Sequence, residues 1–336
     1  MNFLVTGGAG YIGVPLIEKL LEKGHKVSCL DRFFFGRKTL SKLEKNPNLS
    51  LIHDDIRWFN PKLLKKKDVV IDLAALSNDP SGDLNPTKTY DINYRGRIRV
   101  AKLAKKYGVS RYILASTCSV YGFSSQILDE TAPTNPITTY AKSAVNAEVD
   151  ALSLSNENFT VIVPRFATVY GLAPRMRFDL AINAMILRLH KTGIISIMRD
   201  GSQWRPFIHV KDVSKAYMLL AEAEAQKVNG QIINIGSDEQ NYQLYSLAKI
   251  LGDNLPKPYE LDWYGDADKR SYRVKFDKVK RLSYTVDYTP EKAIKEITNA
   301  LDSGEVTDEL ETHTVEWYKH LLNTRPKEVI LRDTLL

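Results

Sequence analysis

Phe3-Leu4-Val5-Thr6-Gly7-Gly8-Ala9-Gly10-Tyr11-Ile12-Gly13 opens the chain and decides its fold. An apolar run passes directly into a Gly-x-x-Gly-x-x-Gly turn. The turn opens an amphipathic helix whose apolar residues are Ile12, Leu16, Ile17, Leu20 and Leu21. A second strand then ends Val27-Ser28-Cys29-Leu30-Asp31. Amides at such a helix start point at an anion, and the helix dipole favours negative charge there. Gly7 permits the tight turn, Gly10 removes a side chain where a pyrophosphate approaches, and Gly13 lets the helix lie close on the sheet. Tyr11 and Ile12, inside the turn, join the three glycines as candidates to hold the ligand. A glycine turn alone is weak evidence. Its place between strand and helix predicts dinucleotide binding.

The second strand's end sharpens this. A carboxylate at Asp31 accepts hydrogen bonds from an adenosine ribose and repels a 2′-phosphate, which favours NAD over NADP. Arg32 complicates that preference, since an arginine accommodates a 2′-phosphate. After the third strand comes Asp54-Asp55-Ile56, where Asp55 is placed to meet an adenine amino group and Ile56 to flank the ring. A helix cap is the alternative. Leu73-Ala74-Ala75 follows the fourth strand, and small residues there admit the nicotinamide half. Asn93 lies in an apolar helix, so its amide must bond backbone from a neighbouring strand.

The 336 residues suggest one large or two interlocked domains. A hydrophobic content of 43% supplies a core. No apolar run approaches the roughly 20 residues that span a bilayer. The N-terminus starts as a strand without a basic leader, so a cytoplasmic setting is expected. Cys29 and Cys118 have no ligand partners at metal spacing, so neither a metal site nor a disulfide framework is expected. The net charge of +7 is spread over many helices, apart from Lys65-Lys66-Lys67. No aromatic-interleaved basic patch suggests nucleic acid. A positive field does attract an anionic nucleotide or nucleotide-sugar.

Strands are expected at 3–6, 26–30, 49–53, 69–73, 111–115 and 160–164. Helices are expected near 12–23, 39–45, 60–66, 87–107 and 140–155. This alternation predicts an α/β fold, a Rossmann-like doubly wound parallel sheet over residues 1–171. Residues 172–336 read as a smaller, partly interleaved α/β substrate region. Its helices are expected near 178–192, 211–226, 243–252 and 290–301, and its strands near 195–198, 206–209 and 231–235.

The fifth strand ends Ser116-Thr117-Cys118-Ser119-Val120-Tyr121-Gly122, and Thr139-Tyr140-Ala141-Lys142-Ser143-Ala144 comes about twenty residues later. With the glycine turn, Asp31, Leu73-Ala74-Ala75 and Asn93, the chain here resembles the extended short-chain dehydrogenase/reductase family. These are the NAD-dependent nucleotide-sugar epimerases and dehydratases. Arg165, Val169-Tyr170-Gly171, Arg205-Pro206-Phe207-Ile208-His209-Val210, Asp212 and Arg270 extend the resemblance over nearly the whole chain. It implies NAD as cofactor and a nucleotide-diphosphate sugar as substrate. It also implies a homodimer formed by the helices near 87–107 and 140–155.

The resemblance makes Tyr140 the base that removes a sugar hydroxyl proton, with Thr117 bonding the same oxygen. A free tyrosine has a pKa of about 10 and needs a neighbouring cation to work near neutrality. Family members carry a lysine one turn later. Here that position is Ala144. Lys142 lies about 200° around the helix and does not replace it. Three explanations stand: an introduced substitution that disables the chain, a natural variant in which another group serves, or a binding protein without catalysis. The surrounding Tyr-Ala-Lys-Ser-Ala-Val-Asn-Ala-Glu, conventional apart from that alanine, favours the disabled chain.

Cys118 and Ser119 stand where 4,6-dehydratases of the family carry Asp and Glu, which argues against dehydration. Cys118 reads as a packing residue and His209 as structural. Arg205 and Arg270 match arginines that hold the diphosphate, a task suited to a planar, permanently charged fork. Asn78, in a polar loop 78–83, Thr168, Arg177 and Asn183 are further substrate candidates, with Arg273 a weaker one. The combination of Ala167-Thr168-Val169-Tyr170-Gly171 with Pro174-Arg175-Met176-Arg177-Phe178-Asp179-Leu180, the later Arg205-Pro206-Phe207-Ile208-His209-Val210, and Asp268-Lys269-Arg270 with Tyr272 and Val274 is similar to a subgroup that includes GDP-heptose 4-dehydrogenases. The expected reaction is oxidation at C4 of a nucleotide-activated sugar in surface-polysaccharide synthesis. The alternatives are a nucleotide-sugar 4-epimerase and a non-catalytic NAD or nucleotide sensor.

Overall fold

The computed structural model describes residues 1–266 and 270–324. Seven strands make the central sheet: β1 (Asn2–Thr6), β2 (Lys26–Asp31), β3 (Leu49–His53), β4 (Val69–Asp72), β5 (Arg111–Leu114), β6 (Thr160–Phe166) and β7 (Gln231–Ile235). Their spatial order is β3-β2-β1-β4-β5-β6-β7, and every neighbouring pair is parallel. A two-residue piece, Ser116–Thr117, runs beside the end of β6, opposite Arg165 and Phe166.

Winding outward from β1 to β3, and then the other way from β4 to β7, leaves a crevice between the C-terminal ends of β1 and β4. Ligands of doubly wound sheets bind at such a reversal. Thr6 pairs with both Leu30 and Asp72, so β1, β2 and β4 finish level at this rim. Because β7 comes from the second half of the chain, that half is stitched into the first sheet.

Both faces of the sheet are covered. Helices Gly13–Glu22 and Val210–Glu222 bury Leu16, Ile17, Leu20, Val213 and Leu220 on one side. Helices Arg97–Lys106 and Thr139–Leu152 bury Val100, Ala101, Ala104, Ala147 and Ala151 on the other. A separate core holds Ile182, Ile186, Ile195, Leu247, Leu251 and Ile294. Glu296 ties this core to the sheet. It accepts from Leu172 N at 3.0 Å, meets His209 Nε2 at 2.5 Å and accepts from Lys211 Nζ at 2.8 Å. Burial alone would raise its pKa, but His209 and Lys211 overcome that and hold it down to about 2.

Several expected elements differ. The segments 39–45 and 60–66 hold only the tight turns Lys38–Leu40 and Pro61–Leu64. Lys66, with φ of 61°, turns the chain sharply into β4 and ends any helix there. The polar loop expected at 78–83 is instead the helix Asp79–Leu84. Asn78 caps it, accepting from Ser81 N at 2.8 Å, with Pro80 in the first turn. The helix expected over 87–107 is broken into Pro86–Tyr90, a wide π-type segment Asp91–Gly96, and Arg97–Lys106. A last helix, Thr314–Thr324, is not anticipated by the sequence pattern.

Candidate active site

The glycine turn is built as the sequence demands, with one exchange of roles. Gly7 has φ of +67°, and a Cβ there would lie 2.8 Å from Ala74 N. A Cβ on Gly10 would lie 3.1 Å from Gly7 O. At Gly13 the clash is with the turn itself, 2.5 Å from Gly8 O, and not with the sheet. Gly8 is the residue that lets the helix approach β2. A Cβ there would meet Cys29 Sγ at 2.7 Å and Ile17 Cδ1 at 2.8 Å. The spacing pattern hides this role, because Gly8 falls between the spaced glycines.

A cavity of about 710 Å³ lies over the rim. Gly7, Gly10, Tyr11, Ile12, Gly13, Asp31, Leu73, Ala74 and Ala75 line one part of it. Asn78, Thr117, Tyr140, Thr168, Arg177, Arg205 and Arg270 line the rest. Five expected site residues stand outside the wall. Asp55 is buried and held by Arg57, through Nε at 3.0 Å and Nη2 at 2.8 Å. Ile56 packs in the sheet core, close against Gly96. Asn93 bonds Leu76 N at 2.8 Å and Leu76 O at 3.1 Å, so it fixes the loop that carries residues 73–75. That partner lies just past β4, where a strand had been expected. Asn183 is fully buried, with Gly171 N at 2.9 Å, Arg177 O at 2.9 Å and Tyr11 Oη at 3.1 Å. Ala144 packs with the apolar residues against one face of the sheet.

Asp31 braces the turn as well as facing the cavity. Its carboxylate accepts from Ala9 N at 3.0 Å and Phe33 N at 2.7 Å. Burial raises its pKa, and these amides oppose the rise. Arg32 lies 3.7 Å from Asp55 and over the Phe34 ring.

Tyr140 sits in the first turn of Thr139–Leu152, whose cap is Thr138, accepting from Ala141 N at 3.2 Å. Its backbone packs on Gly82, where a Cβ would come within 3.1 Å. Burial and then Asp79 raise the Tyr140 pKa. Arg97, the nearby Thr117 hydroxyl and Arg177 act the other way. Asp79 is held by Thr138 and by Arg270. Arg205 donates to Trp204 O at 2.8 Å and to Arg270 O, and lies over the Tyr272 ring. Arg177 is paired with Asp179, with its Nε at 3.1 Å, and donates to Ser77 at 3.2 Å. Asn78 donates to the same Asp179 at 2.9 Å.

Cys118 is buried with its thiol pKa pushed up by burial, as suits a packing residue. His209 is fully buried, stacked on Tyr288 and capping the next helix. Arg273 lies away from the wall, donating to Ser125 O at 3.1 Å. Asp268 and Lys269 lie outside the described residues.

Some wall residues escape the sequence pattern. Arg97 is one. Its place in a stripe with Ala101 and Ala104, at i, i+4 and i+7, is the available signal. Arg175 is another. It is 5% exposed, donates to Thr314 Oγ1 at 3.0 Å and stacks 3.7 Å over Phe35. Burial, then Arg177, lowers its pKa to about 10. The last helix completes that end. Trp317 Nε1 donates to Phe34 O at 2.7 Å, Tyr318 packs against Phe34 and Phe35, and Tyr318 and Thr314 reach the cavity wall.

The family model for the NAD dependent epimerase/dehydratase family matches residues 3–236. The chain belongs to that family. UDP-glucuronic acid decarboxylase 1 of Arabidopsis thaliana is 31% identical over 308 residues, covering 88% of this chain and 68% of that one. The UDP-glucuronate 4-epimerase of Thermodesulfobacterium geofontis is 27% identical over 306 residues, covering 88% and 93%. Among solved structures, MoeE5 in complex with UDP-glucose and NAD has 25% identity and a TM-score of 0.77, covering 91% of this chain and 100% of that one. As an NAD dependent epimerase/dehydratase family member, the protein uses NAD. The cavity floor suits it, since the spaced glycines present no side chain there while Asp31 and Ala74-Ala75 bound the two ends.

Proposed function

We propose that the protein oxidises C4 of a nucleotide-diphosphate sugar, with Tyr140 as base. One observation carries this reading. Tyr140 and Thr117 stand together on the wall of a cavity that continues to Arg205 and Arg270, and the Thr117 hydroxyl favours the Tyr140 phenolate. When bound, NAD supplies the hydride acceptor. The Tyr140 oxygen takes the C4 hydroxyl proton, and the Thr117 hydroxyl keeps that oxygen aligned. Arg205 and Arg270 hold the diphosphate, each with a planar donor fork. Gly7, Gly10, Gly13 and Asp31 hold the dinucleotide by its pyrophosphate and adenosine ribose.

The test is a panel of UDP-, GDP-, dTDP- and CDP-sugars with NAD, read by NADH absorbance and by NMR of the sugar. It is run on the native chain and on Ala144→Lys. One sugar is expected to yield a product oxidised or inverted at C4. Silence from both chains on every sugar overturns the reading.

A further inference from the structure

The π-type segment Asp91–Gly96 resets the phase of the helix Arg97–Lys106 that continues from it. One extra residue in a helical turn rotates the rest of the helix by about 100°, and such wide turns concentrate at functional sites. Arg97 is the first residue after it, and it points inward on the stripe shared with Ala101 and Ala104. The side chain is 4% exposed. Its Nη2 donates to Asp72 O at 2.8 Å and Ala115 O at 2.7 Å. The guanidinium is thereby pinned across the ends of β4 and β5, on the wall that also carries Tyr140. Its Nε makes no hydrogen bond among the described residues and lies 3.7 Å from Asp72 Oδ2. Burying such a charge is costly unless it is paired and hydrogen-bonded, and Asp72 with the two carbonyls meets that cost while leaving the guanidinium on the cavity wall.

Tyr140 and Ala144 share one face of their helix, four residues apart. At position 144 a methyl group occupies the place where family members have an ammonium. Arg177 also lies within electrostatic reach of Tyr140, with a smaller effect than Arg97, and it donates directly to Asp179, whereas Arg97 meets its carboxylate, Asp72, only at 3.7 Å.

We propose that Arg97 is the cation that serves Tyr140, in place of the lysine absent at position 144. Arg97 is a positioning residue. Its part is to act through the phenol, from a guanidinium held by Asp72 O and Ala115 O. The proposal rests on Tyr140 being the base. Guanidinium stays charged at every working pH, so it favours phenolate throughout. The groups facing Tyr140 are Asp79, which opposes phenolate, and Thr117, Arg97 and Arg177, which favour it. The groups facing Arg97 are Asp72, Tyr112 and Tyr217, and Tyr217 faces Tyr140 as well. The Asp72 carboxylate is itself engaged by Thr6 and Tyr112, each at 2.5 Å, which spreads its charge away from Arg97.

The test is an NMR titration of the full-length, NAD-bound chain labelled with ¹³C at tyrosine Cζ. The signal that disappears in Tyr140→Phe is Tyr140. Removing a nearby cation disfavours the charged phenolate, so the midpoint must rise. Arg97→Gln is expected to raise it by at least about one pH unit, a tenfold loss of phenolate at any lower pH, and Arg97→Lys to recover most of that. A midpoint unmoved in Arg97→Gln overturns the proposal. Ala144→Lys tests it with Arg97 untouched. If Arg97 already serves, a lysine at 144 lowers the midpoint by less than about 0.3, whereas a drop of about one pH unit overturns the proposal. Because the titration needs no sugar, it stands apart from the panel. An unmoved midpoint removes Arg97's role alone, and a silent panel removes the C4 reaction alone.

Discussion

Tyr140→Phe is expected to lower kcat by about 10³-fold, within the range of roughly 10² to 10⁴ that a positioned base contributes. Phenylalanine keeps the ring and its packing on Gly82, where the backbone and Cβ of residue 140 make the close contacts. Only the phenol oxygen, which shares the wall with Thr117, is lost. Thr117 is a weak base and cannot take over. The KM for sugar should change little, because diphosphate and dinucleotide contacts lie elsewhere on the wall. Steady-state rates on the responsive sugar, with calorimetric binding of NAD, measure both. A variant within tenfold of native kcat removes Tyr140 from the chemistry.

Arg270→Ala is expected to damage binding and chemistry together. A charge-assisted hydrogen bond contributes about 1.5–3 kcal/mol, which corresponds to a rise in KM of roughly 10- to 150-fold. The second effect comes from Asp79. Arg270 holds that carboxylate, and Asp79 raises the Tyr140 pKa. Freed of its partner, Asp79 presents more negative charge to the phenol, and kcat falls at neutral pH. Adding Asp79→Asn should then restore kcat and leave KM high. If the double variant shows the same kcat as Arg270→Ala alone, the electrostatic link between Asp79 and Tyr140 is absent.

The central sheet was legible because its signals are local. The run Leu49–His53 and the run Gln231–Ile235 fall where apolar pattern alone put them. The crevice was legible through Gly7 and Asp31, since each must sit at a strand end to act. Tyr140 and Thr117 were readable only through resemblance, because neither residue type marks itself out. The remaining differences depend on long-range geometry. Arg97 enters the wall through a change of helical phase that no period of 3.6 contains. Gly8 owes its size limit to Cys29 and Ile17. The cost of a buried amide did foretell a backbone partner for Asn93, but Asn93 and Asn183 also stood among the ligand candidates, and each is satisfied by backbone or phenol of the fold itself. The helix Thr314–Thr324 meets Phe34 and Phe35 across 283 positions of sequence, for its Trp317 bond, and no window on the chain reaches that far.

That last helix bears on how the protein relates to the redox balance around it. Trp317 and Tyr318 latch the segment directly after Asp31, at the adenosine end of the crevice. A dinucleotide seated at Asp31 would lie beside this latch, so the latch is expected to slow its exchange. Each oxidation of the sugar would then end with release of the reduced dinucleotide past this latch, and that release is expected to limit throughput. The observable is retention. NAD should stay with the native chain through gel filtration and be lost from Trp317→Ala, and prompt loss from the native chain would leave the latch without effect on exchange.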